Sequence, residues 1–125
     1  MTKLKVLIVE DEMIIAWDLK RTIERLEHEV LSIASSAEAA VDTAKSKDPD
    51  MILMDISLKG KRTGIDAAME IRGFSQASIF FLTGNTHLFD DPAILASRAQ
   101  GMYAKPPSEA QLREMLEIAC GVEGL

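Results

Sequence analysis

The chain has little cysteine, a deficit of positive charge and no long hydrophobic run, and each shortage excludes a class of protein. Cys120 is the only cysteine, so no disulfide can form within the chain, and the thiol suits a reducing compartment such as the cytoplasm. Fourteen basic against twenty acidic residues give a net charge of −6, which would repel nucleic acid and anionic lipid. We therefore expect no direct nucleic-acid partner and no membrane partner.

The hydrophobic segments are too short for targeting or membrane insertion. The run Leu4–Val9 meets three consecutive acids at once, which makes it too short for a signal peptide. No other segment approaches the about 18 apolar residues that a bilayer span requires. With 47% hydrophobic and 27% charged residues, the composition is typical of a soluble globular protein. We expect one domain over residues 1–125, located in the cytoplasm.

Five short apolar runs alternate with five longer amphipathic or alanine-rich stretches. Most of the runs lack polar alternation, which is typical of strands buried on both faces. The pattern predicts five βα units and hence a doubly wound α/β fold, a parallel sheet with helices on both faces. The predicted strands are Leu4–Val9, Val30–Ala34, Met51–Met54, Ile79–Leu82 and Met102–Ala104.

Helix signals fill the segments between the runs. Ser108 and Gln111 match a capping box, and Gly121 is expected to end the last helix. Asp91 followed by Pro92 is typical of an N-cap and a first-turn proline. The five helices are predicted to start after Glu12, near Ala37, near Gly64, at Pro92 and after Ser108.

Chemically active side chains stand where four of the five runs end. Glu10 and Asp11 follow the first run, Asp55 the third, Thr83 the fourth and Lys105 the fifth. In an open parallel sheet, the carboxyl ends of the strands meet at a crevice where the strand order reverses. With the order 2-1-3-4-5, the four strands that carry these groups would be contiguous. The second run ends in alanine and serine and would lie at the edge.

Three carboxylates in one crevice would repel one another, so a positive group should lie among them. Oxygen ligands suit a hard divalent cation, and Mg²⁺ or Mn²⁺ fits. Lys105 adds a second positive charge that can pair with a carboxylate or a phosphoryl oxygen. Beside such cations Asp55 can attack phosphorus and form an acyl phosphate, and Thr83 could donate its hydroxyl to a phosphoryl oxygen.

Four motifs carry these groups: Val9-Glu10-Asp11-Glu12, Met54-Asp55-Ile56, Leu82-Thr83-Gly84 and Ala104-Lys105-Pro106. With them the chain resembles the receiver domain of two-component response regulators over essentially its whole length. The resemblance implies a flavodoxin-like (βα)5 fold and phosphorylation of Asp55 by a histidine kinase or a histidine phosphotransfer protein. It also implies a metal site of Mg²⁺ (or Mn²⁺) formed by Glu10, Asp11, Asp55 and the backbone carbonyl of Ser57.

The same resemblance implies that Thr83 switches toward the phosphoryl group, that Lys105 pairs with it, and that the Lys105–Pro106 peptide bond is cis. The expected protein is a stand-alone receiver without an output domain that acts on a downstream protein target. It would be a signalling phosphoacceptor, not an enzyme. A homodimer through the fourth helix, fifth strand and fifth helix is an option, since Ile94 and Leu95 could pack internally or at such an interface.

The chain departs from the family pattern in places. The loop from Asp55 to Gly64 is one residue longer than is common and lacks the frequent proline. Its basic residues either are simply solvated or attract a phosphodonor. Met102 stands where the family often has an aromatic residue, and Tyr103 should point to the opposite face. Pro107 replaces the aromatic residue that commonly follows Lys-Pro. The conformational coupling that the family commonly shows between the switch threonine, here Thr83, and an aromatic residue is therefore in question.

Other functions fit the motifs less well. A small Mg²⁺-dependent phosphatase with an aspartyl-phosphate intermediate would place Asp-x-Asp after the first strand, but Met13 stands two residues after Asp11. A flavodoxin-like cofactor binder needs a phosphate-cradling loop at the same point, where this chain is acidic. His28 and His87 have no metal-ligand spacing. His28 lies at the end of the first helix, where it could favour the carbonyl dipole, and His87 could approach the site.

Overall fold

The computed structural model describes residues 3–84 and 92–121, so the expectations for Asp91 and His87 lie outside the described residues. The strands are β1 (Lys5–Val9), β2 (Glu29–Ala34), β3 (Met51–Asp55), β4 (Ser78–Thr83) and β5 (Gly101–Ala104). The helices are α1 (Met13–Arg25), α2 (Ala37–Lys47), α3 (Gly64–Arg72), α4 (Pro92–Ala96) and α5 (Glu109–Ala119). Among the described residues, no helix has the length and apolar character needed to cross a membrane.

The five strands form one parallel sheet in the order β2-β1-β3-β4-β5, which confirms the predicted fold and strand order. β3 lies at the centre, and all five of its residues are buried. Its apolar run without polar alternation therefore reflects burial on both faces, as the sequence predicted. β2 lies at the edge of the sheet, and only its last residue is buried. Its sequence can therefore mix polar with apolar residues.

Alternate strand residues supply two separate cores. Leu7, Ile52 and Phe81 belong to the core beneath α2, α3 and α4. Leu53 and Phe80 belong to the core beneath α1 and α5. Neighbouring strand residues point to opposite faces of the sheet. The number of residues between a strand end and one of these core residues therefore decides which face the strand end begins on.

Capping groups set the helix starts near the site. The side chain of Ser108 accepts a hydrogen bond from the Gln111 amide, and the Gln111 side chain accepts one from the Ser108 amide, which confirms the predicted capping box. Thr63 and Asp66 form a second capping box at the start of α3, which we did not predict from the sequence. Gly121 has φ +79°, a left-handed residue just after α5, in agreement with its expected role.

His28 does not stabilise the end of α1 as a charged group. It is 8% exposed, and its Nδ1 atom accepts a hydrogen bond of 3.0 Å from the backbone amide of Leu4. Nδ1 must therefore carry no proton. Burial lowers the pKa of His28, and the nearby charge of Glu27 opposes that effect without cancelling it. The option of a charged histidine at the carbonyl end of α1 is therefore not supported, because Nδ1 contacts the amide of Leu4, just before β1.

We expect the pH dependence of stability to contain a component from His28. Its pKa is lower in the folded than in the unfolded chain, so the unfolded chain binds more protons as pH falls below about 6.5. The free energy of unfolding should therefore decrease from about pH 6.5 downward. Urea unfolding of the wild type and of His28→Gln between pH 5 and 8 measures this component. Equal pH slopes in the two proteins would contradict the assignment.

Candidate functional site

The strand register brings the motif residues to one edge of the sheet. Val9 pairs with Met54, so Glu10 stands level with Asp55. Thr83 is the last residue of β4 and pairs with Ala104, which places Lys105 directly beyond it. The amide of Lys105 donates to the carbonyl oxygen of Thr83 at 2.9 Å. The predicted convergence of four strand ends is therefore a consequence of parallel pairing.

The pleat also explains which side chains meet. Residues two apart along a strand start from the same face. Glu10, Asp55 and Lys105 each stand two residues after a residue that belongs to, or packs against, the core under α1 and α5. These residues are Ile8, Leu53 and Tyr103. Glu10, Asp55 and Lys105 therefore begin on one side of the sheet.

Glu10, Asp11 and Asp55 form an acidic cluster in which each residue offers one carboxylate oxygen, and these oxygens all lie within 4.8 Å of one another. Glu10 and Asp55 are each 1% exposed, and Asp11 is partly exposed. Burial of like charges at this separation is unfavourable unless a cation compensates them. Donors that are all oxygen fit a hard divalent cation such as Mg²⁺, which usually keeps several waters.

Lys105 supplies part of this compensation. Its Nζ lies 3.1 Å from Glu10 Oε1 and 3.1 Å from Asp55 Oδ2. Burial lowers the pKa of Lys105, but the hydrogen bonds to the two carboxylates outweigh it, so the pKa lies above its ordinary value. One ammonium thus holds two of the three acids together.

Lys105 does not balance all the negative charge of the cluster, and the pKa of Glu10 shows the effect. Burial raises the pKa of Glu10 to about 7, and the charge of Asp55 adds to the effect, while the hydrogen bond from the Glu12 amide and the contact with Lys105 oppose it. A carboxyl group with such a raised pKa beside a second carboxylate indicates a site short of positive charge. A divalent cation at the cluster would favour the ionised form of Glu10.

Each acid of the cluster is also held by one main-chain amide. The Glu12 amide donates to Glu10 Oε2 at 3.0 Å, and the Ser57 amide donates to Asp55 Oδ1 at 3.1 Å. Asp11 Oδ2 accepts from the amide of Lys59 at 3.1 Å. The first two contacts span two residues along the chain, whereas the third spans forty-eight.

Gly64, the first residue of α3, lies against the backbone of Asp55. A Cβ atom at Gly64 would stand 2.0 Å from the carbonyl oxygen of Asp55, which real Cβ atoms essentially never do. The Gly64 amide donates to the carbonyl oxygen of Ile56 at 2.9 Å. Only glycine allows α3 to start this close to Asp55, the last residue of β3.

Met102 and Tyr103 point to opposite faces of β5, as predicted. Met102 packs against the core under α2, α3 and α4, and Tyr103 against the core under α1 and α5. The Tyr103 hydroxyl donates to Glu114 Oε1 at 2.6 Å, and burial together with this contact raises its pKa to about 12. The aromatic residue of β5 is therefore anchored on α5, on the side of the sheet away from α4.

The sequence-predicted residues come together to different degrees. Glu10, Asp11, Asp55 and Lys105 lie in one cluster, and the buried Thr83 ends the neighbouring strand. The Lys105–Pro106 peptide bond is cis, as the resemblance implied. Sequence reasoning missed the Lys59 amide and the Gly64 contact. The glycine after the loop was visible as a helix start, but nothing in the sequence indicated which backbone atoms it approaches.

Comparison with known proteins agrees with this geometry. A family model described as "Response regulator receiver domain" matches residues 6–117. The transcriptional regulatory protein YvrH of Bacillus subtilis is 33% identical over 112 residues, which cover 90% of this chain and 47% of YvrH. The transcriptional regulatory protein PdtaR of Mycobacterium tuberculosis is 32% identical over 115 residues, covering 92% of this chain and 56% of PdtaR. The chain thus spans about half the length of these curated relatives.

Solved structures show the same fold. The signal receiver domain of a modulated diguanylate cyclase from Desulfovibrio desulfuricans G20 matches with a TM-score of 0.88 at 29% identity, covering 97% of this chain and 96% of that one. The receiver (REC) domain of PhyR from Erythrobacter litoralis matches with a TM-score of 0.82 at 26% identity, covering 100% of this chain and 95% of that one. With its match over most of its length and its acidic cluster at the strand ends, the chain belongs to the family of response regulator receiver domains.

Proposed function

We propose that this receiver domain is a Mg²⁺-dependent aspartyl-phosphate switch in two-component signalling and that Asp55 is its phosphoacceptor. The observation that carries the proposal is the contact of Lys105 with both Glu10 and Asp55 inside the acidic cluster. An isolated carboxylate at a strand end is commonplace. A buried carboxylate with a lysine and two further acids around it is the arrangement that phosphoryl transfer to an aspartate needs.

In the proposed reaction, an oxygen of Asp55 attacks the phosphorus of the donor, and the bond between phosphorus and the leaving group breaks as the acyl phosphate forms. Lys105 is hydrogen-bonded to Asp55 Oδ2 and is placed to offset charge on the phosphoryl oxygens. The Ser57 amide holds Asp55 Oδ1 and so fixes the orientation of the carboxylate. These groups are in place before any donor arrives.

The metal in this proposal is Mg²⁺ or Mn²⁺, held by Glu10, Asp11, Asp55 and the backbone carbonyl of Ser57. When bound, it supplies positive charge that offsets the charge of the phosphoryl oxygens. The close approach of three carboxylate oxygens and the raised pKa of Glu10 support this assignment. The domain would act as a signalling phosphoacceptor that promotes only its own phosphorylation and dephosphorylation.

Thr83 and Lys105 are the proposed switch residues. Thr83 is fully buried at the end of β4 and is joined through its carbonyl oxygen to the Lys105 amide. A phosphoryl group on Asp55 would offer new acceptor oxygens to the Thr83 hydroxyl and the Lys105 ammonium. Such contacts exist only in the phosphorylated state, which is the differential interaction that a two-state switch requires.

The proposed phosphodonor is a histidine kinase or a histidine phosphotransfer protein in the cytoplasm. Such a donor must cover the surface next to Asp55. Ile14 is 83% exposed and Trp17 58% exposed on α1, and they line a groove of about 670 Å³ together with Pro106 and Pro107, which follow Lys105. An exposed apolar patch beside the site is typical of a protein-binding surface.

A downstream protein target completes the proposal. Leu95 on α4 is 82% exposed, which supports the option of a homodimer through α4, β5 and α5.

The direct test is incubation of the chain with acetyl phosphate, with Mg²⁺ or with a chelator, followed by intact-mass measurement. We expect an adduct of one phosphoryl group that forms with Mg²⁺ only and is lost in base, as an acyl phosphate is. An adduct of equal yield in the chelator, or one that resists base, would contradict the proposal. Rapid turnover of varied phosphate esters would instead favour the phosphatase with an aspartyl-phosphate intermediate.

A further inference from the structure

The three acids of the cluster are oriented by amides of different origin. The amides that hold Glu10 and Asp55 come from residues two positions further along the chain, so each belongs to the same turn as its acid. The amide that holds Asp11 belongs to Lys59, in the loop between β3 and α3. Among the described hydrogen bonds of the cluster acids to main-chain amides, this is the one that joins the turn after β1 to the loop after β3.

We propose that the backbone N–H of Lys59 is a positioning group for Asp11 and that it couples the β3–α3 loop to metal binding. The inference rests on the proposed function, in which Asp11 is a metal ligand. An amide on one oxygen of a ligating carboxylate fixes which oxygen faces the cation, and the loss of such an outer partner commonly weakens metal affinity about 10-fold to 100-fold. The remaining oxygen of Asp11 can then face Glu10 and Asp55.

This positioning depends on an amide hydrogen at position 59. A proline, frequent in this loop of the family, has no N–H and could not make the bond. Lys59 is exposed, and no ion pair of its side chain is found within residues 3–84 and 92–121. The contribution to the site therefore comes from the main chain of Lys59 and not from its charge.

Coupling of this kind is reciprocal. If the hydrogen bond from the Lys59 amide to Asp11 favours the metal-bound state, then the metal must favour that hydrogen bond by the same factor. The Lys59 amide should therefore exchange its hydrogen more slowly when Mg²⁺ is bound. The loop begins next to Asp55 and ends at α3. Metal binding would therefore also change the surface that the β3–α3 loop forms.

The test compares two variants at one position. Lys59→Pro removes the N–H, whereas Lys59→Ala keeps it and removes only the charge. We expect Lys59→Pro to bind Mg²⁺ about tenfold more weakly than the wild type, and Lys59→Ala to bind it within about twofold. Affinity is measured by titration with Mg²⁺ alone, followed through the amide NMR signal of Ser57. Lys61→Pro controls for the stiffness of proline in the same loop and should bind as the wild type does.

Amide exchange keeps the inference testable if Lys59→Pro does not fold. In the wild type the Lys59 amide should be protected, and Asp11→Ala should remove that protection. Equal Mg²⁺ affinity in Lys59→Pro and Lys59→Ala, or unchanged exchange of the Lys59 amide in Asp11→Ala, would overturn the inference. If Asp11→Ala itself binds Mg²⁺ as tightly as the wild type, the proposed metal site fails, which is a different result.

Discussion

The Asp55→Asn variant is expected to take up no phosphoryl group from acetyl phosphate in the presence of Mg²⁺. An amide oxygen is too weak a nucleophile to form the acyl phosphate, and the amide lacks the negative charge that would help to hold a cation. Intact-mass measurement under conditions that label the wild type checks this result. Adduct formation in Asp55→Asn at the wild-type yield would move the nucleophile to another residue.

The loss should not result from unfolding. Asparagine has nearly the shape of aspartate, and Lys105 keeps its contact of 3.1 Å with Glu10. Removing the charge of Asp55 also removes one of the causes that raise the pKa of Glu10. Asp50→Asn is the matched control. The Asp50 carboxylate accepts a hydrogen bond from the Lys5 amide at the amino-terminal ends of the strands, where a change should leave phosphorylation intact.

The Gly64→Ala variant is expected to lose about 3 kcal/mol of unfolding free energy, at the upper end of the range for overpacking, because its Cβ would meet main-chain atoms that cannot rotate away. The nearest of these atoms is the carbonyl oxygen of Asp55 at 2.0 Å. Any relief of this contact shifts either α3 or the backbone of Asp55. We therefore expect phosphorylation and Mg²⁺ affinity to fall together with stability, as measured by urea unfolding, mass spectrometry and Mg²⁺ titration.

Gly73→Ala is the control for this prediction because it makes the same substitution at the other end of α3. There the added Cβ would stand 3.2 Å from the carbonyl oxygen of Glu70, a contact that a small shift relieves. Its unfolding free energy should change by less than about 1 kcal/mol, with phosphorylation as in the wild type. Similar losses in both variants would mean that α3 responds to any alanine and not to the contact with Asp55.

The fold and most of the site could be predicted because both depend on short-range patterns. Apolar runs such as Met51–Met54 mark buried strands, and parallel pairing then obliges the residues that follow them to meet at one edge. Glu10, Asp55 and Lys105 were found in this way. The observed order of the strands agrees with the order in which the four runs that end in chemically active groups would be contiguous.

The remaining features depend on the path of the backbone, which periodicity does not encode. The sequence of the β3–α3 loop shows three basic residues, but not that the Lys59 amide meets Asp11 forty-eight positions away. The burial of His28 against Leu4 likewise depends on how the turn after α1 returns to the sheet. The capping box of Thr63 and Asp66 did carry a local signal, a threonine followed three residues later by an acid, weaker than the usual Glu or Gln.

The described part of α4, Pro92–Ala96, has a consequence for how a partner could bind the domain. None of the five residues of α4 is buried, whereas α1 and α5 each contribute three buried residues to the core. Since the free energy that holds an element in place scales with the apolar area it covers, at about 25 cal/mol per Å², the described residues of α4 should cost less to displace than α1 or α5. A binding protein that displaces part of this domain should therefore meet less resistance at these residues than at α1 or α5.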